Sequence, residues 1–418
     1  MRILLTGIPS YLQRTVSGVS GAAVRHRPYF DDILTKKNVI DQVKKIANTG
    51  NYLIGEGAGH ALQGHDVTYV PFWHLANSLS SQDVYDELAR TFDICVFASA
   101  NLLRPGLSAD LEAQVFEKLN LPVVVMGIGI QKKANLRDDL PAGTQKFLDV
   151  LRAKESYFLT RGYFTSEFLK EQGMKFVRPT GCPSLYFNPN GMRQALTKIA
   201  NPELVEAQKI AFGGYLGSVA DTIVDAHVLL KPDSTAHYVI QDEVTVYNMN
   251  IVGDDQTLAY DPPSGRLIAP MEYKHQEKWQ RKNELHVFFD TNRWRTWASQ
   301  LDLSFGRRFH GCIITMQAGI PSLMIAVDDR MREMLEFIGF PHLEAGVWNR
   351  ETQKKAYLKE FLSTIDAQAS LDRYNACELN FRTALNDIGI KQAALAQPAK
   401  VAPPAPTLAA AARAHEPA

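Results

Sequence analysis

The chain has 418 residues, 45% of them hydrophobic and 22% charged, the make-up of an ordinary globular protein long enough for two domains. Its 45 Lys and Arg residues cancel 45 Asp and Glu, so no global field points to nucleic acid or an anionic membrane, and any anion site has to be local. Four widely spaced cysteines (Cys95, Cys182, Cys312, Cys377), with no Cys-X-X-Cys, fit buried thiols in a reduced cytoplasm.

Arg2–Thr6 reads as the first strand, and the apolar run it opens is too short for a signal peptide. The segment Gly50-Asn51-Tyr-Leu-Ile-Gly55-Glu56-Gly57-Ala-Gly59 is the most glycine-dense and reads as a loop. It fits neither phosphate fingerprint, because no Gly-Lys-Ser/Thr follows and no strand directly precedes a Gly-X-Gly-X-X-Gly. Asn51 and its neighbours are expected to line a cleft. Phe92–Phe97 and Pro122–Met126 are continuous apolar runs, as in a parallel sheet covered on both faces. The longest apolar stretch, around Leu121–Ile130, contains Pro122, Gly127 and Gly129 and reads as a buried strand, not a membrane span. Gly127-Ile-Gly129 is only half a dinucleotide motif and is assigned to the cleft. Between these strands Ser108 can cap a helix whose first turn carries Asp110 and Glu112.

Thr144–Ala153 puts Phe147, Leu148 and Leu151 on one helical face, and Tyr157–Thr160 is the next strand. Arg161 should project from its carboxyl end. Thr165–Gln172 is a helix closed by Gly173, followed by a strand at Lys175–Arg178. Thr180-Gly181-Cys182-Pro183-Ser184 either lines the same cleft or merely turns the chain. Turn-formers from Pro183 through Pro202 mark the crossing between domains. The second half repeats the pattern with strands at Lys209–Phe212, Ala236–Ile240, His286–Phe289, Leu301–Phe305 and Ser322–Val327, and a helix at Met331–Ile338 closed by Gly339. Alternating strands and helices predict an α/β chain of two Rossmann-like doubly wound domains, residues 1–190 and 205–390. Residues 243–284 read as an insertion over one edge of the second domain. The Ala/Pro-rich residues 391–418 read as a disordered C-terminal tail.

The most informative stretch runs from Leu301 to Arg330. A strand enters Arg307-Arg308-Phe309-His310-Gly311, a helix starts there and stops at Gly319-Ile320-Pro321, and a second strand ends in Asp328-Asp329-Arg330. In a βαβ unit the two strands are parallel, so Arg308, His310 and Arg330 arrive at one crevice, where open α/β sheets bind ligands. Residues two apart in an extended segment share a face, which pairs Arg308 with His310, and Gly311 allows a close approach of backbone and ligand. Two guanidiniums and an imidazole beside a helix N-terminus make an anion site containing an acid/base. No His or carboxylate cluster has metal-ligand spacing, and there is no His-Glu-X-X-His or Asp-X-Asp, so no metal is expected. Tyr157, Tyr163, Trp294 and Trp297 could stack on a sugar, but such aromatics are more often core.

Arg308-Phe309-His310-Gly311, with Ala318-Gly319-Ile320-Pro321 and Asp329-Arg330, resembles the polysaccharide pyruvyl transferase family. Thr160-Arg161, Thr180–Ser184, Gly127-Ile-Gly129 and a loop like Gly50-Asn51 extend the likeness, in the family's order, over about residues 45–340. The resemblance implies two Rossmann-like domains in a GT-B-like arrangement. It also implies transfer of pyruvate from phosphoenolpyruvate to a sugar as a ketal. By the same resemblance Arg161, Arg308 and His310 contact phosphoenolpyruvate, while Arg330 stands where the family often has lysine, keeping the charge but changing the geometry. The family commonly carries Asn-X-Gly-Asp near its start; here the Gly50-Asn51 loop lacks the Asp.

On this reading Arg161, Arg308 and Arg330 hold phosphate and carboxylate. His310 makes the proton transfers, as the nearby group that titrates near neutral pH. No metal or organic cofactor is required. The partners are phosphoenolpyruvate and a saccharide acceptor, lipid-linked or free. The protein would then work in the cytoplasm with transient association at the inner face of the membrane. Two rivals remain: a GT-B glycosyltransferase using a nucleotide sugar, and a non-enzymatic assembly protein with a relic site.

Overall fold

The computed structural model describes residues 1–8, 48–131, 139–214, 221–231, 234–241, 250–251, 260–261, 266–267, 271–272, 283–288 and 290–391. The first sheet contains β1 (Arg2–Gly7), β2 (Asp66–Tyr69), β3 (Ile94–Ala98), β4 (Val123–Ile128), β5 (Tyr157–Thr160) and β6 (Phe176–Pro179) in the order β2-β1-β3-β4-β5-β6. Every neighbouring pair is parallel. β3 and β4 are buried along their whole length, as their unbroken apolar runs require of strands covered on both faces. Helices α1 (Tyr52–Ala61), α2 (Phe72–Asn77), α3 (Gln82–Thr91), α4 (Asp110–Lys118), α5 (Ala142–Ala153) and α6 (Tyr163–Glu171) accompany this sheet.

Three local expectations change here. The glycine-dense segment is largely a buried helix, α1, instead of a loop. A Cβ on Gly57 would lie 2.3 Å from the carbonyl oxygen of Pro183, so glycine serves close packing of the helix rather than a turn. Ser108 does not cap α4; its hydroxyl donates to the Asp110 carboxylate. Helix α6 starts two residues before the expected point, and its cap comes from the second domain. Glu333 accepts from the Thr165 backbone N–H at 2.6 Å and from the Thr165 hydroxyl at 2.8 Å. A carboxylate from 168 residues away leaves no trace in the local sequence.

The chain crosses over through 3₁₀ turns at Pro183–Tyr186 and Pro202–Glu206 and through α7 (Pro189–Lys198). The Asn-Pro pairs that read as turns are helix starts. Asn188 and Asn201 accept from the backbone N–H of Gly191 and Glu203, and each is followed by Pro at the first helical position.

The second sheet gathers β7 (Ile210–Gly213), β8 (Ala236–Ile240), β10 (Tyr260–Asp261), β11 (Arg266–Leu267), β13 (Asn283–Val287), β14 (Leu303–Gly306), β15 (Ser322–Ala326) and β16 (His342–Glu344) in the order β10-β11-β13-β8-β7-β14-β15-β16. From β13 to β16 the pairs are parallel, whereas β11 and β10 extend the edge antiparallel. A separate pair joins β9 (Asn250–Ile251) to β12 (Met271–Glu272). Of the expected insertion only β9 to β12 and the first two residues of β13 are described; the rest of it and the expected C-terminal tail beyond Lys391 lie outside the described residues.

Helices α8 (Asp221–Leu229), α9 (Thr291–Ala298), α10 (Phe309–Gln317), α11 (Asp329–Ile338), α12 (Ala345–Trp348), α13 (Lys354–Ser363) and α14 (Ala367–Asp387) complete the chain. Helix α14 returns to the first sheet. Its Asp387 pairs with Arg178 at 2.6 Å, Asn380 donates to the Pro179 carbonyl at 2.7 Å, and Tyr374 donates to the Leu185 carbonyl at 2.9 Å.

One apolar cluster contains Phe97, Phe116 and Phe147, and a second contains Phe212, Tyr238, Phe305 and Trp348. A third runs unbroken from β1 and α1 through Cys182 and Met192 to Ile313, Met334 and Phe381, so the two domains share a core. A buried ion pair, Glu56 with Arg295, bridges them, and Thr291 donates to Glu56 at 2.6 Å. Burial pushes the Glu56 carboxyl up, against the pull of Arg295. The two-domain α/β fold is as expected, and all four thiols are free and buried. Among the described residues no helix is long and apolar enough to cross a membrane.

Candidate active site

The carboxyl ends of the two sheets meet. Arg161 follows β5 and is buried. Its Nε donates to the Gly127 carbonyl at 2.8 Å and its Nη1 to Asn101 Oδ1 at 2.8 Å. The remaining nitrogen, Nη2, is buried and has no partner among the described residues. Gly127 and Gly129 make this placement possible. Gly127 has a φ of +80°, and a Cβ on Gly129 would sit 2.8 Å from Arg161 Cδ. Gly129 leaves room for the arginine stem, while Gly127 packs against Pro183 and accepts from the guanidinium.

On the side of the second domain, His310 is the second residue of α10, and its Nε2 lies 3.5 Å from Cys182 Sγ. Burial, with the positive charges of Arg161 and Arg330, pushes the imidazole well below its ordinary range. Sequence reasoning treated His310 as a group titrating near neutral pH; in its actual surroundings it is neutral there. Arg330 is the second residue of α11. Its Nη2 meets Asp328 Oδ2 at 3.1 Å, while its Nε is buried without a partner among the described residues. Asp328 also caps α11, accepting from the Met331 N–H at 2.8 Å. Arg330 and Arg161 lie close enough to repel, and Asp328 and Glu333 offset part of that repulsion.

Arg308 occupies the N-cap position of α10 with an extended backbone, and the helix begins at Phe309. The alternation expected to pair Arg308 with His310 therefore does not apply. Arg308 instead lies beside Gly213 and Gly311, and the charges that depress His310 are those of Arg161 and Arg330. The space over Gly311 is filled by Gln241: a Cβ there would fall 2.7 Å from Gln241 Nε2. Gln241 also presses on Gly50, which in turn lies against the His310 Cβ. Asn51, next to Gly50, sits at the N-terminal end of α1 without a side-chain capping bond. Ser184 is fully buried behind Cys182, donating to its sulfur at 3.1 Å, while its carbonyl accepts from Gln317 at 2.6 Å.

Trp294 and Trp297 belong to the shared core, Tyr157 stacks on Phe176, and Tyr163 packs edge-on against Phe337. Asp329 pairs with Arg332 at 2.8 Å. Asn101, Cys182 and Gln241 were missed as site neighbours. Cys182 alone carried a signal, inside Thr180–Ser184. Away from the cleft, and against the expectation of no ligand cluster, His237, Glu284 and His286 bring three potential metal-ligand atoms together.

A family model for polysaccharide pyruvyl transferases matches residues 48–329, about two thirds of the chain. No curated protein matches. Among solved structures, a Listeria monocytogenes protein assigned as UDP-N-acetylglucosamine 2-epimerase is 11% identical with a TM-score of 0.41, covering 93% of this chain and 95% of its own. A Staphylococcus aureus NAD-dependent formate dehydrogenase in complex with NAD is 9% identical with a TM-score of 0.18, covering 92% and 95%. At these scores neither likeness bears on fold or function.

Proposed function

The chain belongs to the polysaccharide pyruvyl transferase family, and from that premise we propose that it transfers pyruvate from phosphoenolpyruvate to a sugar as a ketal. The acceptor would be part of a bacterial exo- or capsular polysaccharide or of its lipid-linked precursor. A lipid-linked acceptor would bring the protein to the cytoplasmic face of the membrane.

One observation carries the choice of donor. The buried Arg161 carries an Nη2, and the neighbouring Arg330 an Nε, that have no partner among the described residues, and both arginines act on the neutral His310. A buried donor left unsatisfied costs about 1–3 kcal/mol, so the arrangement favours a small polyanion that satisfies both. Phosphoenolpyruvate carries phosphate and carboxylate on adjacent atoms, and each charge-assisted hydrogen bond to them contributes about 1.5–3 kcal/mol. Arg308, at the N-terminus of α10, adds a third guanidinium where a helix already favours anions.

The depressed imidazole gives the donor a second task. Burial and, after it, the charges of Arg161 and Arg330 keep His310 unprotonated; negative charge beside the two arginines offsets their repulsion and works against the cost of burial, so donor binding draws a proton onto the ring. His310 then protonates the methylene carbon, leaving an oxocarbenium-like centre at the carbon bearing phosphate. A sugar hydroxyl adds there and returns its proton to His310. Phosphate leaves with its bonding pair, and a second hydroxyl closes the ketal. Of the two diol protons, one ends on the new methyl group and one is released with phosphate.

The test is a thermal-shift titration with phosphoenolpyruvate beside UDP. Stabilisation by phosphoenolpyruvate alone, lost in Arg161→Gln, is the expected outcome. Stabilisation by UDP alone would move the protein to nucleotide-sugar chemistry and void these roles. Calorimetry in two buffers of different ionisation enthalpy should also register proton uptake with phosphoenolpyruvate, absent in His310→Gln.

A further inference from the structure

We propose that His237, Glu284 and His286 bind a divalent transition metal of the zinc type, which pins the edge of the second sheet. The three residues share a face for topological reasons. Glu284 is directly opposite His237 in the β13–β8 pair, and His286 lies two residues beyond Glu284 on β13. Their ligand atoms converge. His237 Nδ1 is 3.2 Å from His286 Nε2 and 3.3 Å from Glu284 Oε2, and His286 Nε2 is 3.8 Å from the same oxygen. A tetrahedral ion about 2.0–2.2 Å from each donor sets its ligands roughly 3.3–3.5 Å apart, so one cation fits among the three with little movement.

Hydrogen bonding alone accounts for this convergence less well. Two imidazole nitrogens and a carboxylate oxygen all turned on one point present three lone-pair sites, and an N–H of one ring serves one of them at a time. A cation accepts all three together. Two imidazoles and one carboxylate are a donor set suited to zinc and its neighbours rather than to magnesium or calcium.

The surroundings resemble a supporting shell. Arg266 Nη2 lies 3.3 Å from the other oxygen of Glu284, Oε1, which leaves Oε2 turned to the histidines. His286 is 1% exposed, and the Trp297 ring lies against both imidazoles, with centroids 4.5 Å from that of His286 and 6.1 Å from that of His237. His237 lies four residues before Gln241, so the cluster sits on the order of 13 Å along β8 from the anion site. The metal would thus hold structure and take no part in the transfer. It would join β8 to β13, and through Arg266, which pairs with His286 in register, to the antiparallel strand β11.

The experiment uses the full chain with any affinity tag removed, stripped with a chelator and titrated with ZnCl2. Wild type should take up about one equivalent of zinc by elemental analysis, gain melting temperature on addition, and give the intense visible absorption of tetrahedral Co2+ when cobalt replaces zinc. His237→Gln and Glu284→Gln, the two less buried ligands, should lose these responses, with zinc affinity down more than about 100-fold. Arg266→Ala, a positioning change, should weaken it about 10–100-fold. Failure of wild type to bind zinc overturns the proposal whatever the variants do. So does zinc uptake that His237→Gln and Glu284→Gln leave unchanged.

Discussion

Arg307 and Arg161 are two buried arginines in one molecule, 6% and 2% exposed, and their guanidiniums have opposite surroundings. Arg307 donates to Asp225 Oδ2 at 2.6 Å and to Asn349 Oδ1 at 2.8 Å, and the second oxygen of Asp225 accepts from the Trp348 indole at 2.7 Å. Arg161 has a carbonyl, an amide, a second arginine and an uncharged imidazole around it, feels the carboxylates of Glu333 and Asp328 without a hydrogen bond to either, and keeps one nitrogen with no partner among the described residues. Burial by itself therefore does not separate a structural cation from a functional one. A finished set of partners marks the first, and an unfinished set marks the second.

The largest expected effect comes from breaking the finished set. Arg307→Met leaves Asp225 buried without its cation and should cost about 3–5 kcal/mol in urea unfolding, with phosphoenolpyruvate affinity per folded molecule little changed. The mirror experiment is Arg161→Gln. Turnover should fall about 10²–10³-fold, as when a preorganised donor is lost, while stability drops by no more than about 1 kcal/mol. If Arg161→Gln unfolds the protein as severely as Arg307→Met, the contrast between the two arginines is void.

A third test concerns pH. The folded pKa of His310 lies below its unfolded value of about 6.5, so between the two the unfolded chain binds a proton that the folded chain refuses. His310 therefore makes stability fall as pH drops below about 6.5, with a slope approaching 1.4 kcal/mol per unit, and adds nothing above it. Unfolding at pH 5.5 and 7.5 should show His310→Gln with the shallower dependence. Saturating phosphoenolpyruvate should flatten the wild-type curve toward it.

The smallest effect sharpens the picture most. Gly129→Ala puts a methyl 2.8 Å from Arg161 Cδ, and its three nearest neighbours all belong to the Arg161 side chain. It should cost about 1 kcal/mol or less in stability, yet shift Arg161 enough to lower turnover by at least about 10-fold. Full activity in this variant would mean that the close approach at Gly129 does not position the guanidinium.

What the sequence determined by itself was local. Apolar runs such as Pro122–Met126 become strands because a continuous apolar segment has to be covered on both faces, and Gly339 ends a helix because it takes φ of +73°. The strand–helix–strand run from Leu303 to Arg330 was legible for the same reason, and it delivers His310 and Arg330 to one sheet edge.

Tertiary structure decided everything that depends on what arrives from elsewhere in the chain. The glycines of Gly50–Gly59 fall largely in a helix whose close packing on Pro183 leaves no room for a side chain at Gly57, and α6 gained its cap from Glu333. His310 lost its proton to burial and to two arginines, one of them 149 residues earlier. His237 met His286 only because parallel pairing of β8 and β13 closes a separation of 49 residues. Spacing along a chain records the periods of helices and strands. It holds no record of which distant surface desolvates a group, fills its partner set, or leaves that set open.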